Sequence, residues 1–456
     1  MLRTLNLGIL AHVDAGKTSL TERLLYAAGV IDEIGSVDDG NTQTDSLALE
    51  RQRGITIKSA VVSFVVDDVT VNLIDTPGHP DFIAEVERVL SVLDGAVLVI
   101  SAVEGVQSQT RVLMRTLQRL RIPTLIFVNK LDRGGAHDAR VFAAIVEKLS
   151  PAVISMGSAT ELGTRRASFT PYGAGDTVFT TRLPDVLGDN DDALMTAYVD
   201  DETKVSYQRL RNALAVQTKR AQVHPVFYGS AITGAGVDAL IAGITEYLPA
   251  AVGDADGPVS GTVFKIERGR AGEKIAYLRL FSGTVRTRDR VQLGGDDEPK
   301  VTAISVFDNG STLTRPEVSA GQIGKLWGLG GIQIGDGIGA VGNDHSAESG
   351  YFAPPTLETV IAPVRPSDKG NLQVALSQLA EQDPLINLRQ DDIRQETFVS
   401  LYGEVQKEVI QTTLAGEFGI DVTFRESTTI CIERVNGSGA AVEFIKTDPN
   451  PFLATV

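Results

Sequence analysis

Eight residues, Ala11-His12-Val13-Asp14-Ala15-Gly16-Lys17-Thr18, have the composition of a phosphate-holding loop. In such a loop the backbone N–H groups of residues His12 to Ser19 and the N-terminus of the following helix face an anion. Lys17 then reaches the β- and γ-phosphates, and the Thr18 hydroxyl ligates Mg²⁺. The first glycine of the general pattern is here Ala11. A second group, Asp75-Thr76-Pro77-Gly78-His79, offers a carboxylate for the outer coordination shell of Mg²⁺ and, at Gly78, an N–H that can approach a γ-phosphate. Pro80 biases His79 toward an extended backbone. A third, Asn129-Lys130-Leu131-Asp132, ends in a carboxylate that can accept from the N1–H and exocyclic amine of guanine, which adenine does not present. The backbone amides of Gly229-Ser230-Ala231 can meet the guanine carbonyl. Asn129, Lys130, Asp132, Ser230 and Ala231 are therefore the candidate guanine-binding residues.

These groups need strand ends to hold them. The apolar run over 5–10 reads as a buried strand leading into a helix over 19–28, and an alternating pair over 59–66 and 70–74 is joined by Asp67-Asp68. The pattern repeats as strand 95–101, helix 107–120 and strand 124–128, with another strand at 226–228. In an open α/β sheet the C-terminal strand edge is where ligands bind. A plain Pro-Gly turn with a surface histidine is the bland alternative at 75–79, and the suitable spacing from Thr18 weighs against it.

At 456 residues the chain has room for about three domains. Its 43% hydrophobic and 22% charged residues are those of an ordinary globular protein. A net charge of −16 argues against nucleic-acid binding by bulk attraction, so such contacts would need local basic patches. One cysteine, Cys431, allows no internal disulfide, and five scattered histidines offer no zinc cluster. The longest apolar stretch, 89–100, is interrupted by Asp94 and Gly95 and is too short to span a bilayer. No membrane contact and a cytoplasmic location are expected.

Further along, a helix is expected over 142–149, mixed sequence over 150–191, and helical spacing again over 192–216, an elaboration without chemistry. A helix after Gly236 runs to Tyr247, and 249–258 is a linker. Short strands at 261–266, 276–281, 290–293, 300–306 and 324–327 with Gly/Asp turns predict a β-barrel. Strands at 357–364, 385–388, 397–401 and 422–424 with helices at 368–382 and 403–418 predict a ferredoxin-like α+β unit. The divisions are 1–250 for a P-loop GTP-binding α/β domain with an insertion, 258–345 for the barrel, 355–425 for the ferredoxin-like domain, and 426–456 for the start of an incomplete fourth domain.

The motif set resembles the GTP-binding domain of translational GTPases, and nearly the whole chain is similar to elongation factor G and its relatives, the ribosomal protection proteins of tetracycline resistance. The residues that carry this are 11–18, Arg53-Gly54-Ile55-Thr56, 75–79, 129–132 and 229–231. The run from Leu5 through Gly54 and the later Leu401-Tyr402-Gly403-Glu404-Val405-Gln406-Lys407-Glu408 are most similar to the tetracycline-protection branch. The resemblance implies a monomeric GTPase that uses Mg²⁺, turns GTP into GDP and phosphate, and binds the 70S ribosome through ribosomal RNA and stalk proteins. It would act on tetracycline indirectly, by releasing it from the ribosome. The implied catalytic residues are His79, which orients the attacking water, with Lys17 and Thr56. The Mg²⁺ residues are Thr18, Thr56 and, in the outer shell, Asp75. Thr56 would close on the metal only in the GTP state. Val13 and Ile55 are similar to an apolar gate over His79, although ordinary core packing reads equally well.

In the barrel, Arg286, Arg288 and Arg290 alternate along an expected strand edge and suit phosphate contacts; a solvated strand face is the other reading. Strands at 427–433 and 440–445 cannot bury a core of their own. In the resembled family a fourth and a fifth domain follow, and they carry the loops that reach the drug. The sequence is thus read as a piece of a longer protein or a natural truncation. The alternatives to drug release are a translocation-type elongation factor and a truncated GTP-dependent ribosome-binding module with little turnover.

Overall fold

In the computed structural model, which describes residues 3–35, 42, 50, 55–201, 205–250, 252–269, 271–293, 298–339, 351–391 and 393–431, one sheet carries the groups at 11–18, 75–79, 129–132 and 229–231 at its strand ends. Strand β1 (Arg3–Ala11) leads into α1 (Lys17–Ala27). The hairpin β2 (Ala60–Val66) and β3 (Val69–Asp75) leads through a 3₁₀ turn (Pro80–Phe82) into α2 (Ile83–Leu90). Then β4 (Gly95–Ser101) is followed by α3 (Ser108–Arg119), and β5 (Thr124–Asn129) by α4 (Asp138–Lys148). After an insertion containing β6 (Val153–Ser155), β7 (Gly157–Thr160), β8 (Ser168–Pro171), α5 (Thr177–Gly188), α6 (Asp192–Asp200) and α7 (Tyr207–Lys219), the chain returns as β9 (His224–Tyr228) and α8 (Val237–Tyr247).

The sheet order is β2-β3-β1-β4-β5-β9-β6, parallel except where β2 runs against β3. Every residue of β4 and β5 is buried, because helices cover both faces of a parallel sheet, and these strands therefore read as unbroken apolar runs. The C-terminal ends Ala11, Asp75, Asn129 and Tyr228 fall along one edge, with the order reversing beside β1. In the insertion, α5 occupies part of the stretch read as mixed. Phe179, Leu183 and Leu187 are its buried stripe at i, i+4 and i+8, obscured in the sequence by Thr, Gly and an internal Pro184.

The second unit is a barrel. A six-stranded sheet of β10 (Ser260–Arg268), β11 (Lys274–Ser282), β13 (Ala303–Asp308), β14 (Ser311–Thr314), β16 (Ile323–Trp327) and β17 (Gly337–Gly339) encloses one core with the ribbon β12 (Thr284–Arg286) and β15 (Glu317–Ser319). Two expectations are corrected here. Residues 290–293 form no strand beyond one bridge from Arg290 to Lys300. The three arginines share no strand edge, because β12 stops at Arg286, whose N–H donates to Asp289 Oδ2 at 2.7 Å, and Arg288 turns left-handed at φ 80°. Arg286 pairs with Glu317 at 3.0 Å.

The third unit, β18 (Leu357–Pro363), α9 (Lys369–Gln382), β19 (Arg389–Asp391), β20 (Glu396–Leu401), α10 (Glu404–Phe418) and β21 (Val422–Phe424), has the antiparallel order β19-β20-β18-β21 of a ferredoxin-like sheet. The strand expected at 385–388 is instead a 3₁₀ turn at Pro384–Ile386. The Asp383 carboxylate accepts from Leu385 N–H at 3.3 Å and starts this turn, and pairing begins only at Arg389. Within the segment 427–433, β22 (Thr428–Thr429) adds to this same sheet by pairing with β18. Arg53, Gly54, most of 36–49, the turn at 294–297 and the strand expected at 440–445 lie outside the described residues.

Candidate functional site

A cavity of about 680 Å³ opens at the C-terminal edge of the sheet, and residues from all the motifs line it. His12 to Ser19 form one wall. Gly16 sits at φ 85°, and a Cβ there would lie 2.4 Å from Asn129 Nδ2, so only glycine fits. The same glycine offers no side chain to cap α1, which leaves the first N–H groups of that helix available to an anion. Asp14 (φ 61°) and Lys130 (φ 69°) are also left-handed, a costly conformation that concentrates at binding sites.

Lys17 and Asp75 were expected to face different partners, a phosphate and a metal shell. They are paired with each other, Nζ to Oδ1 at 2.6 Å, because both are buried and a buried charge requires a counterpart. Lys17 Nζ also donates to Thr56 Oγ1 at 3.3 Å, and the hydroxyls of Thr18 and Thr56 are 3.1 Å apart. Among the described residues, no three His, Cys, Asp or Glu side chains are grouped to hold a metal. The Thr18 and Thr56 hydroxyls are, however, hard oxygen donors suited to a Mg²⁺ that draws its remaining ligands from phosphates and water, with the Asp75 carboxylate placed for the outer shell. Asp75 and Ser230 are fully buried behind the cavity wall.

Gly78, which lies against the backbone of Ala11 and His12, and His79 also line the cavity, as do Val13 and Ile55. Both apolar residues are half-buried and belong to none of the hydrophobic cores among the described residues. His79 is extended (φ −83°, ψ 137°), as Pro80 dictates, and its Nδ1 accepts from Asp81 N–H at 3.2 Å, which assigns the proton of the neutral ring to Nε2. His12 differs. It is buried, its Nδ1 lies 3.0 Å from Thr110 Oγ1, and burial pulls its pKa down to about 4, so it is neutral at pH 7.

At the far end, Asp132 Oδ1 is buried with no partner among the described residues. Asn129 spans the loops instead of facing the cavity with free groups. Its Nδ2 donates to Ala15 O at 2.9 Å, and its Oδ1 accepts the Ala231 N–H at 2.9 Å, the amide expected to meet a base. Lys130 Nζ lies 3.4 Å from Glu104. A second, open concavity of about 740 Å³ lies on the insertion beside Thr177 and Arg182, and no motif reaches it.

Residues 2–250 match the family of the Elongation factor Tu GTP binding domain. The chain belongs to the translational GTPases. As a translational GTPase of the elongation factor G type, it also matches Elongation factor G domain 2 over residues 258–341 and Elongation Factor G, domain III, over residues 352–426. It is 53% identical to the Oxytetracycline resistance protein of Streptomyces rimosus over 451 residues, 97% of this chain and 68% of that one. It is 43% identical to the Tetracycline resistance protein TetP of Clostridium perfringens, over 100% of this chain and 70% of that one. A crystal structure of a protein from Thermus thermophilus superposes with a TM-score of 0.80 at 25% identity, covering 93% of this chain and 67% of that one. Binding of GTP and its hydrolysis to GDP are the chemistry of this domain.

Two residues of this translational GTPase escaped the motif reading. Arg23, on α1, donates from Nε to Ala231 O at 2.7 Å and so holds the loop at the base end. Gln109 donates to Gly78 O at 2.7 Å. Neither has a local signal, since each partner is remote in sequence. Among the described residues no helix is long and apolar enough to cross a membrane.

Proposed function

We propose that this translational GTPase hydrolyses GTP when it engages the 70S ribosome and protects translation from tetracycline by releasing the drug. The observation that carries the reading is the convergence of Lys17, Thr18, Thr56, His79 and Asp132 on one cavity at the sheet edge. The names of the relatives from Streptomyces rimosus and Clostridium perfringens supply the drug.

Lys17 and the uncapped N–H groups of α1 bind the β- and γ-phosphates, with Lys17 exchanging Asp75 for phosphate oxygens. Thr18, Thr56 and Asp75 would hold Mg²⁺, which when bound neutralises phosphate charge. His79, its Nδ1 occupied by the Asp81 amide, presents Nε2 to a water between Val13 and Ile55. That water attacks the γ-phosphorus, and the bond to the bridging oxygen breaks to leave GDP. Asp132 selects guanine, with Asn129, Lys130, Ser230 and Ala231 shaping the base end. Ribosomal RNA and stalk proteins are the partners of a cytoplasmic monomer.

The test is release of labelled tetracycline from 70S ribosomes by the purified chain with GTP. Faster release with GTP than with GDP supports the reading. GTP-dependent ribosome binding without release would favour a translocation factor or a binding module.

A further inference from the structure

Helix α10 of the third unit has no cap of its own. Its N-cap residue is Gly403, which has no side chain to accept the N–H groups exposed at a helix start. The acceptor comes from the GTPase domain instead. Asp81 Oδ2 takes the N–H groups of Val405 at 3.0 Å and Gln406 at 3.2 Å, favoured by the positive end of the helix. The other oxygen, Oδ1, lies 3.5 Å from His79 Nδ1, which accepts the Asp81 N–H.

We propose that Asp81 is a positioning residue that couples His79 to the third domain: its backbone orients the imidazole while its carboxylate is pinned by the start of α10. This rests on the assignment of His79 to water positioning. Undocking of α10 frees the carboxylate, loosens the 3₁₀ turn at Pro80–Phe82 and lets the imidazole leave its place. Hydrolysis is thereby conditional on the third domain being seated. A second anchor keeps the same helix start in register. Arg88 on α2 donates to Gln382 O at 3.0 Å and pairs with Asp383, whose Oδ2 accepts from Gln406 Nε2 at 3.2 Å.

Gly403 provides a test that leaves the GTPase domain untouched. Its backbone is extended (φ −175°, ψ −177°), so alanine is unstrained there, but the new Cβ would lie 2.3–2.5 Å from the Asp81 carboxylate atoms and expel them. Ribosome-stimulated GTP turnover of the full chain is measured for wild type, Gly403→Ala, Asp81→Ala, the double variant and His79→Ala, with GTP affinity alongside. Both single variants are expected to lose roughly tenfold or more in kcat, since a misplacement of about 1 Å can cost on the order of 10²-fold. The KM for ribosomes and the GTP affinity should stay near wild type. In the Asp81→Ala background, Gly403→Ala should have no further effect, because no carboxylate remains to be displaced.

Full turnover in both single variants, or a Gly403→Ala loss undiminished in the Asp81→Ala background, would overturn the coupling. A loss confined to the KM for ribosomes would also overturn it, since that is the mark of a merely structural contact. If His79→Ala itself turns over normally, the assignment of His79 is what fails, and the two failures are thus told apart.

Discussion

The nucleotide cavity and the seam between the GTPase domain and the barrel both bury polar groups, yet they treat them differently. In the seam, Asp94 has both oxygens taken, by Arg279 at 3.0 and 3.1 Å and by the backbone and side chain of Asn6 at 2.8 and 2.7 Å. Asn6 in turn donates to Gly321 O across the seam and accepts from Asn72. Around this network Val61, Ile74, Val89 and Val92 pack on Phe264, Tyr277 and Ile323. In the cavity, Asp132 Oδ1 and His12 Nε2 have no partners among the described residues. The seam matches both oxygens of its carboxylate within the protein and leaves over only the Arg279 Nε of this network; the cavity leaves its carboxylate oxygen unmatched, at a cost in stability that ligand binding offsets.

The largest effect that sharpens this contrast belongs to the cavity. Asp132→Asn replaces an acceptor with a donor where the base edge must be read, and GTP affinity should fall on the order of 10⁴-fold while xanthosine triphosphate gains. Competition binding with both nucleotides measures it, and an unchanged preference would remove Asp132 from recognition. In the seam the expected loss is of stability alone. Arg279→Met removes the only cation paired with Asp94 among the described residues, whose carboxyl burial already pushes above its ordinary range, and leaves it the two Asn6 donors; it should cost about 3 kcal/mol in urea unfolding with GTP affinity intact. Weakened GTP binding with unchanged stability would erase the distinction between the two regions.

A smaller effect comes from pH. Burial holds both His12 and His224 down to about 4, so each binds a proton more readily in the unfolded chain, where the pKa is near 6.5. Their contribution to stability is complete above pH 6.5 and is lost as pH falls toward 4. At pH 5 each accounts for about 2 kcal/mol. The variant His224→Gln should therefore recover about 2 kcal/mol of the drop in unfolding free energy between pH 7 and 5, read from urea titrations at the two pH values. An equally steep drop would show that His224 is not a source of acid lability.

What was legible in the sequence was local. The helix that follows Gly236 and ends at Tyr247 and the strand at 95–101 are legible to the residue, since a glycine, left-handed in the fold, marks the start of one and a continuous apolar run defines the other. Barrel and ferredoxin-like classes followed from turn spacing and element order. Local pattern misled where one residue redirected the backbone, as Arg288 does among the alternating arginines and Asp383 does before Pro384. It was silent where function depends on distant pairs. Asp81 and Gly403 are each ordinary in isolation, and only the fold brings a carboxylate to a helix that lacks a cap. The pairing of Lys17 with Asp75 was hidden in the same way, although both residues were singled out.

The most direct measurement is GTP turnover by the purified chain with and without 70S ribosomes, comparing wild type with His79→Ala. The account predicts strong ribosome stimulation in wild type and its loss by roughly 10²-fold or more in the variant, with GTP affinity unchanged. Equal stimulated rates in the two proteins would contradict it.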